Sequence, residues 1–280
     1  MKIAFQGVRG ANSEVGIRQH YGSDVEALGF PFSEQVFEAV LSGTANMGFI
    51  PVENTIAGNV AVNMDLLLRH PVSIIAEDYV FIHHHLLAHP DAQLQDIERV
   101  YSHPIALEQC RPFLNQLNLI PVPDFDTAGA AASLSERQSK NEAAIAPVLC
   151  AEYYGLKILN HRIQQIKRNI TRFVSFVRSD RVPEALQRQK TSLAFNTRHE
   201  PGALVRCLEQ FARHDINLTR LESRPVPENP FAYTFFADFM GAPSQDHVQN
   251  CLTAMSRDTL RIKILGSYPK DDQTAFREEN

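Results

Sequence analysis

A chain of 280 residues, 44% of them hydrophobic, exceeds the usual size of one domain and carries enough apolar material for two or three cores. Its formal net charge of -5 argues against a nucleic-acid or acidic-membrane partner, because neither is drawn to a negative field, so an anionic ligand is expected to be held by local cations. The first apolar run breaks at Gly7, no stretch is long enough to span a bilayer, and the four cysteines form no CxxC pair, so a cytoplasmic protein with reduced thiols is expected.

The first part of the chain alternates strand-like and helix-like runs, the pattern of an open α/β sheet with helices on its faces. Strands are expected at 2–6, 46–52, 72–76, 99–103 and 143–146, with helices at 34–41 and 105–117. In the second helix Leu107, Cys110, Leu114 and Leu117 recur at spacings of three and four, and Pro104 suits the first turn. A crossing into a second lobe is expected around 77–89 and a return after Tyr153-Tyr154-Gly155, which places that lobe at 78–155 and a ligand cleft between lobes.

The polar stretch 180–190, with Pro183, is read as a linker that ends a first region at 179. From 191 to 268 the order is strand, helix, strand, strand, helix, strand: strands at 191–196, 217–224, 231–239 and 260–265, turn material at 227–230, and a helix at 202–214. Leu204, Cys207, Leu208 and Phe211 form the buried stripe of that helix, and Val248, Cys251, Leu252 and Met255 that of the next. This is a βαββαβ ferredoxin-like plan, followed by a frayed tail at 269–280.

Three places invite chemistry. Asn169-Ile170-Thr171-Arg172-Phe173 sets a hydroxyl donor beside a permanent cation and an aromatic wall; the bland alternative is an edge strand with Thr171 in solvent, Arg172 snorkelling and Phe173 in the core. Glu53 ends an apolar strand, where burial is expected to raise its pKa so that it polarises a hydroxyl network, or else it caps the following turn. His83 and His85 share a strand face, but no nearby carboxylate or cysteine completes a metal site, so no metal is expected. Gly7-Val8-Arg9-Gly10 is too short and irregular for a dinucleotide fingerprint, though it can bring backbone donors and Arg9 to a carboxylate.

Five blocks stand in order: Gly7-Val8-Arg9-Gly10-Ala11-Asn12-Ser13-Glu14, Pro51-Val52-Glu53-Asn54-Thr55, Ser102-His103-Pro104, Asp126-Thr127-Ala128-Gly129-Ala130 and Asn169 to Phe173. With Pro201-Gly202-Ala203-Leu204 and Glu222-Ser223-Arg224-Pro225 further on, the chain resembles the prephenate dehydratase family over nearly its whole length. The resemblance implies a two-lobed, periplasmic-binding-protein-like catalytic region followed by an ACT regulatory domain. It implies conversion of prephenate to phenylpyruvate with loss of carbon dioxide and water, without metal or organic cofactor. Carried over by position, Thr171 and Glu53 are catalytic; Asn54, Thr55, Ser102, Thr127, Ala128, Asn169, Arg172 and Phe173 bind substrate. Gly202, Ala203, Leu204, Asn217, Leu218, Glu222, Ser223 and Arg224 bind L-phenylalanine as a feedback effector at an interface of a homodimer or homotetramer. Two positions depart from the family pattern: Ile105 stands where glutamine is common, and Thr55 where serine is usual. Arogenate dehydratase and a noncatalytic amino-acid sensor are the alternatives.

Overall fold

The structure is a computed structural model that describes residues 1–226 and 232–271. The turn expected at 227–230, residue 231 and residues 272–280 of the expected tail lie outside the described residues. In chain order the elements are β1 (Lys2–Gln6), α1 (Asn12–Tyr21), β2 (Glu26–Phe30), α2 (Ser33–Ser42), β3 (Met47–Asn54), β4 (Gly58–Asn59), α3 (Ala61–Arg69), β5 (Val72–Phe81) and β6 (His85–Ala88). There follow β7 (Arg99–Ser102), α4 (Pro104–Gln109), α5 (Arg111–Gln116), β8 (Ile120–Pro123), α6 (Thr127–Arg137), β9 (Glu142–Ala146), α7 (Leu149–Tyr154), β10 (Lys157–Asn160) and β11 (Ile170–Arg178). The last are β12 (Lys190–Thr197), α8 (Ala203–Arg213), β13 (Leu218–Pro225), β14 (Tyr233–Met240), α9 (Asp246–Met255) and β15 (Thr259–Tyr268).

Packing divides the described chain into two compact units, one holding 1–63 and 78–173, the other 64–77 and 174 onward. The boundary therefore falls inside α3, β5 and β11, not in the polar stretch 180–190 that composition suggested. That stretch ends on Lys190, which is buried in the second unit with its Nζ 2.6 Å from Glu77 Oε2.

The first unit has two sheets. In one, β1 lies between β2 and β3 in parallel register, and β11 and β5 follow beyond β3. Ile3, Ala4 and Phe5 are buried because α1 and α2 cover this sheet, so its inner strand reads as a continuous apolar run. The other sheet has the order β10-β6-β9-β7-β8. Alternate residues of β6 and β9 feed separate cores: Leu86, Ala88, Ala143 and Ile145 face α4 and α5, while Leu87, Ala144 and Ala146 face α6 and α7. This sheet takes in β10, so the second lobe runs past residue 155.

The helix expected at 105–117 is two helices with one stripe. Leu107, Cys110 and Leu114 share a core, but Pro112 has no N–H and its ring crowds the carbonyl four residues back, so the chain re-forms its turn at Cys110.

In the second unit the chain order is β12, α8, β13, β14, α9 and β15, and the four strands pair antiparallel in the order β13-β14-β12-β15. Numbered within this region the order is 2-3-1-4, the βαββαβ ferredoxin-like arrangement. Leu193, Phe195, Ala237 and Phe239 pack against Cys207, Phe211, Val248, Cys251 and Met255, which are the helix stripes read from spacing.

Candidate active site

A cleft of about 270 Å³ opens within the first unit. One wall comes from the first sheet: Asn12 and Ser13 at the start of α1, Pro51 and Asn54 on β3, Ala57 and Val60 after it, and Asn169, Thr171 and Phe173 around β11. The facing wall is Ile82 and His84 before β6, His103, Ile105, Ala106 and Gln109 on and before α4, and Asp126 and Thr127 at the start of α6. Two helices of ten and eleven residues thus begin at the cleft, α1 without a side-chain cap and α6 capped by Asp126 on the Gly129 amide. Their free amides and dipoles favour negative charge at this end. Gly10, just before α1, has φ +90°, and a Cβ there would lie 2.7 Å from Cys150 Sγ, so only glycine lets this turn sit against α7.

A chain of side-chain amides runs along the cleft floor. Asn54 Oδ1 accepts from the backbone amides of Ile56 (2.9 Å) and Ala57 (2.7 Å), an Asx turn that fixes which way the amide points. Its Nδ2 then donates to Asn169 Oδ1 at 2.8 Å and to Thr171 Oγ1 at 2.9 Å. Asn169 Nδ2 donates in turn to Gln109 Oε1 at 2.9 Å, and His84 Nε2 lies 2.7 Å from the same oxygen. Burial holds the His84 imidazole below its ordinary pKa, so it is neutral near pH 7. Phe173 stacks on Phe49 at 4.6 Å between ring centroids and seals the floor.

Of the positions carried over from the family blocks, Asn54, Thr127, Asn169, Thr171 and Phe173 meet at the cleft. The others do not line it. Arg172 is buried, but Thr171 and Phe173 are on the cleft side of β11, and side chains alternate along a strand, so its side chain leaves from the opposite face. Glu53 pairs with Asn59 across the β3–β4 hairpin. Thr55 clasps β11, its Oγ1 accepting from the Ile170 amide at 3.0 Å. Ser102 is fully buried and donates to the Ile145 carbonyl at 2.6 Å, a tie between β7 and β9. Ala128 is buried in the core under α6. No lysine or arginine lines the cleft among the described residues. Sequence reasoning missed Gln109 and His84, although Gln109 stands seven residues after Ser102 on the polar side of a recognised helix stripe.

Residues 3–181 match the family described as prephenate dehydratase. Over a 289-position alignment the chain is 36% identical to arogenate dehydratase 2 of Petunia hybrida, covering 98% of this chain and 73% of that protein. The chain belongs to the prephenate dehydratase family. The solved structure of the Arthrobacter aurescens prephenate dehydratase in complex with L-Phe superposes with a TM-score of 0.88 at 30% identity, covering 99% of this chain and 96% of that one. A structure described as a quorum-quenching acylase of a novel type superposes with a TM-score of 0.90 at 34% identity, covering 99% of this chain and all of the other. As a prephenate dehydratase family member the protein is a lyase of phenylalanine biosynthesis that acts on prephenate or arogenate.

A second cavity, of about 390 Å³, lies in the other unit of this prephenate dehydratase fold and is lined by 197–205, including Gly202, Ala203 and Leu204. Gly202 sits at φ +80° directly before α8, a left-handed turn that glycine adopts without strain. Asn217, Leu218, Glu222, Ser223 and Arg224 do not line this cavity. Leu218 packs toward the helices, Glu222 pairs with Arg220, and Arg224 Nη2 reaches Asp65 at 2.8 Å. His83, His85 and His161 cluster by ring contacts, and burial with its neighbours' charge lowers His85 to about 4. No group able to hold a metal ion is found among the described residues.

Proposed function

We propose that the protein converts prephenate to phenylpyruvate, with the Thr171 hydroxyl as the donor to the departing ring oxygen. One observation carries this reading: Asn54, locked by two backbone amides, donates to Thr171 Oγ1, so the hydroxyl accepts from the protein and its own proton is left for the ligand. As the ring carboxylate leaves as carbon dioxide, the electron pair of that broken bond aromatises the ring and expels hydroxide, which takes a proton from Thr171 and leaves as water. The threonine is reprotonated by solvent. Electrons balance within the substrate, so no oxidant or reductant enters. A positioned proton donor of this kind contributes about 10²- to 10⁴-fold.

With no cation in the cleft lining, the two substrate carboxylates are assigned to the amides and side chains at the starts of α1 and α6, notably Asn12, Ser13 and Thr127. This replaces the substrate-binding role expected for Arg172. Prephenate is favoured over arogenate because Asp126 is the single carboxylate of the described lining and one of its oxygens caps α6, a sparse arrangement for receiving an ammonium group. Purified protein given either compound should show the larger kcat/KM for prephenate, and Thr171→Ala should lose most turnover with its fold intact. A larger constant for arogenate overturns the substrate assignment, and full activity in Thr171→Ala overturns the proton donor.

We also infer feedback inhibition by L-phenylalanine in the second unit, its carboxylate at the Gly202 turn and its ring against Leu204. In one chain β14 separates β13 from β12, so a site that joins this turn to 222–224 takes its second half from another copy. That supports a homodimer or homotetramer. Calorimetry should show L-phenylalanine binding that Gly202→Val abolishes; unchanged binding removes the turn from the site.

The acylase likeness motivates a second assay, release of the acyl group from an N-acyl amide. The cleft histidines are poorly set for it: His103 Nδ1 accepts from the Ile105 amide and His84 Nε2 is spent on Gln109, which leaves neither oriented by a carboxylate as a triad base.

A further inference from the structure

We propose that His84 is a positioning residue for the proton donor, held in its Nε2–H tautomer and acting on Thr171 through Gln109, Asn169 and Asn54. The inference rests on the reading of Thr171 given above.

Hydrogen-bond polarity carries the argument. Asn54 cannot turn its amide over, because Oδ1 takes the Ile56 and Ala57 amides, so Nδ2 faces Asn169. Asn169 must therefore offer Oδ1 to Asn54 and Nδ2 to Gln109. Gln109 must then offer Oε1, and the atom of His84 at 2.7 Å from that oxygen must be a donor. Every orientation along the row is set, from two backbone amides at one end to an imidazole N–H at the other.

The backbone that carries the imidazole is itself pinned. The His84 amide donates to Gln164 Oε1 at 3.1 Å, its carbonyl accepts from the Ile163 amide at 2.9 Å, and the residue is 3% exposed at the cleft wall. Nδ1 is buried with no protein partner, so a proton there would be unsatisfied. The Nε2–H form is the one in which the ring's single proton has an acceptor.

Remove that donor and Gln109 Oε1 keeps only the Asn169 contact, so its amide can rotate. A turned Gln109 presents NH₂ to the NH₂ of Asn169, which Asn54 keeps from turning, so Asn169 is pushed off its contact with Asn54 Nδ2. The conflict ends at the group that holds Thr171 Oγ1. The effect belongs in the rate of the chemical step more than in ligand affinity, because it alters where a proton points and not which surface the substrate touches.

The test is steady-state kinetics with prephenate on wild type, His84→Leu and His84→Gln, each also in a Thr171→Val background, with melting curves to score folding. His84→Leu should lower kcat at least tenfold with KM within threefold. His84→Gln, which can still donate, should return to within threefold of wild type. In the Thr171→Val background His84→Leu should cost less than twofold more. Wild-type kcat in His84→Leu overturns the proposal, as does an equal loss in both backgrounds, which would mark a role independent of Thr171. If His84→Leu does not fold, nitrogen NMR of the wild-type imidazole decides: a protonated Nε2 and bare Nδ1 near pH 7 support the proposal, and the reverse overturns it. Wild-type activity in Thr171→Val would bring down the threonine reading and this proposal together. A normal loss there with an unaffected His84→Leu brings down this proposal alone.

Discussion

Asn54→Asp is the sharpest test of how the cleft directs a proton, because it changes one NH₂ to oxygen with almost no change of shape. Oδ1 of the new carboxylate can still accept from Ile56 and Ala57, so the Asx turn survives. The second oxygen now faces Asn169 Oδ1, 2.8 Å from the replaced nitrogen, and Thr171 Oγ1 at 2.9 Å. The bonds to Asn169 Oδ1 and to the Ile170 carbonyl, about 1 kcal/mol net each, are lost, and a buried acceptor left unpaired adds about 1–3 kcal/mol, for a total cost of about 3–5 kcal/mol. Thr171 resolves its own contact by turning its proton onto the new carboxylate, which takes that proton away from the substrate. The expected loss in kcat is therefore that of a missing proton donor, about 10²-fold or more. Acid should relieve it in part, since the introduced carboxyl, once protonated, regains one O–H to give. Asn54→Ala should lose similar activity without that acid recovery. The assay is phenylpyruvate formation between pH 5 and 8, with urea denaturation for stability. Wild-type kcat for Asn54→Asp at pH 7.5 would refute the polarity argument.

Phe173→Ala opens a hole under the cleft where two buried rings stack within 9° of parallel, and urea unfolding should show a loss of about 3–5 kcal/mol; less than 1 kcal/mol would mean that the floor collapses freely. His84 and His85 both lie below their ordinary pKa in the folded protein, and His85 falls to about 4. For His85 the unfolded chain thus binds more protons between about 4 and 6.5, so stability is full above 6.5 and declines as pH falls through that window, by up to about 1.4 kcal/mol per pH unit, and His84 acts in the same direction. Chemical denaturation at pH 7, 6 and 5 checks this, and a flat profile contradicts it. Lys190→Met leaves Glu77 charged and buried, with an expected loss of about 3–5 kcal/mol that Lys190→Met with Glu77→Leu largely restores; a double variant no better than the single one would show that the cost lies elsewhere.

Much of the architecture was legible because it depends on neighbours a few residues apart. The stripes Leu204, Cys207, Phe211 and Val248, Cys251, Met255 announce two helices, and the strands between them give the βαββαβ order with no knowledge of contacts. The helices α1 and α6 were not read, since Gly16, the polar residues around it and the run of alanine and glycine at 128–132 blur the apolar period that packing later supplies. Arg172 shows a different failure. Adjacency in a motif suggested joint action with Thr171, yet the two-residue period of a strand already separates neighbours onto opposite faces.

Residue spacing along the chain thus determined the elements and the order of the family blocks, the one around Thr171 among them. Folding decided which polar groups surround it. Asn54, Gln109 and His84 come from three segments, 25 to 117 positions from their side-chain partners in the row, and no local period links them. Hydrogen bonds are short and directional, so the row that orients the threonine exists only when β3, α4, the approach to β6 and β11 are brought within 3 Å of one another.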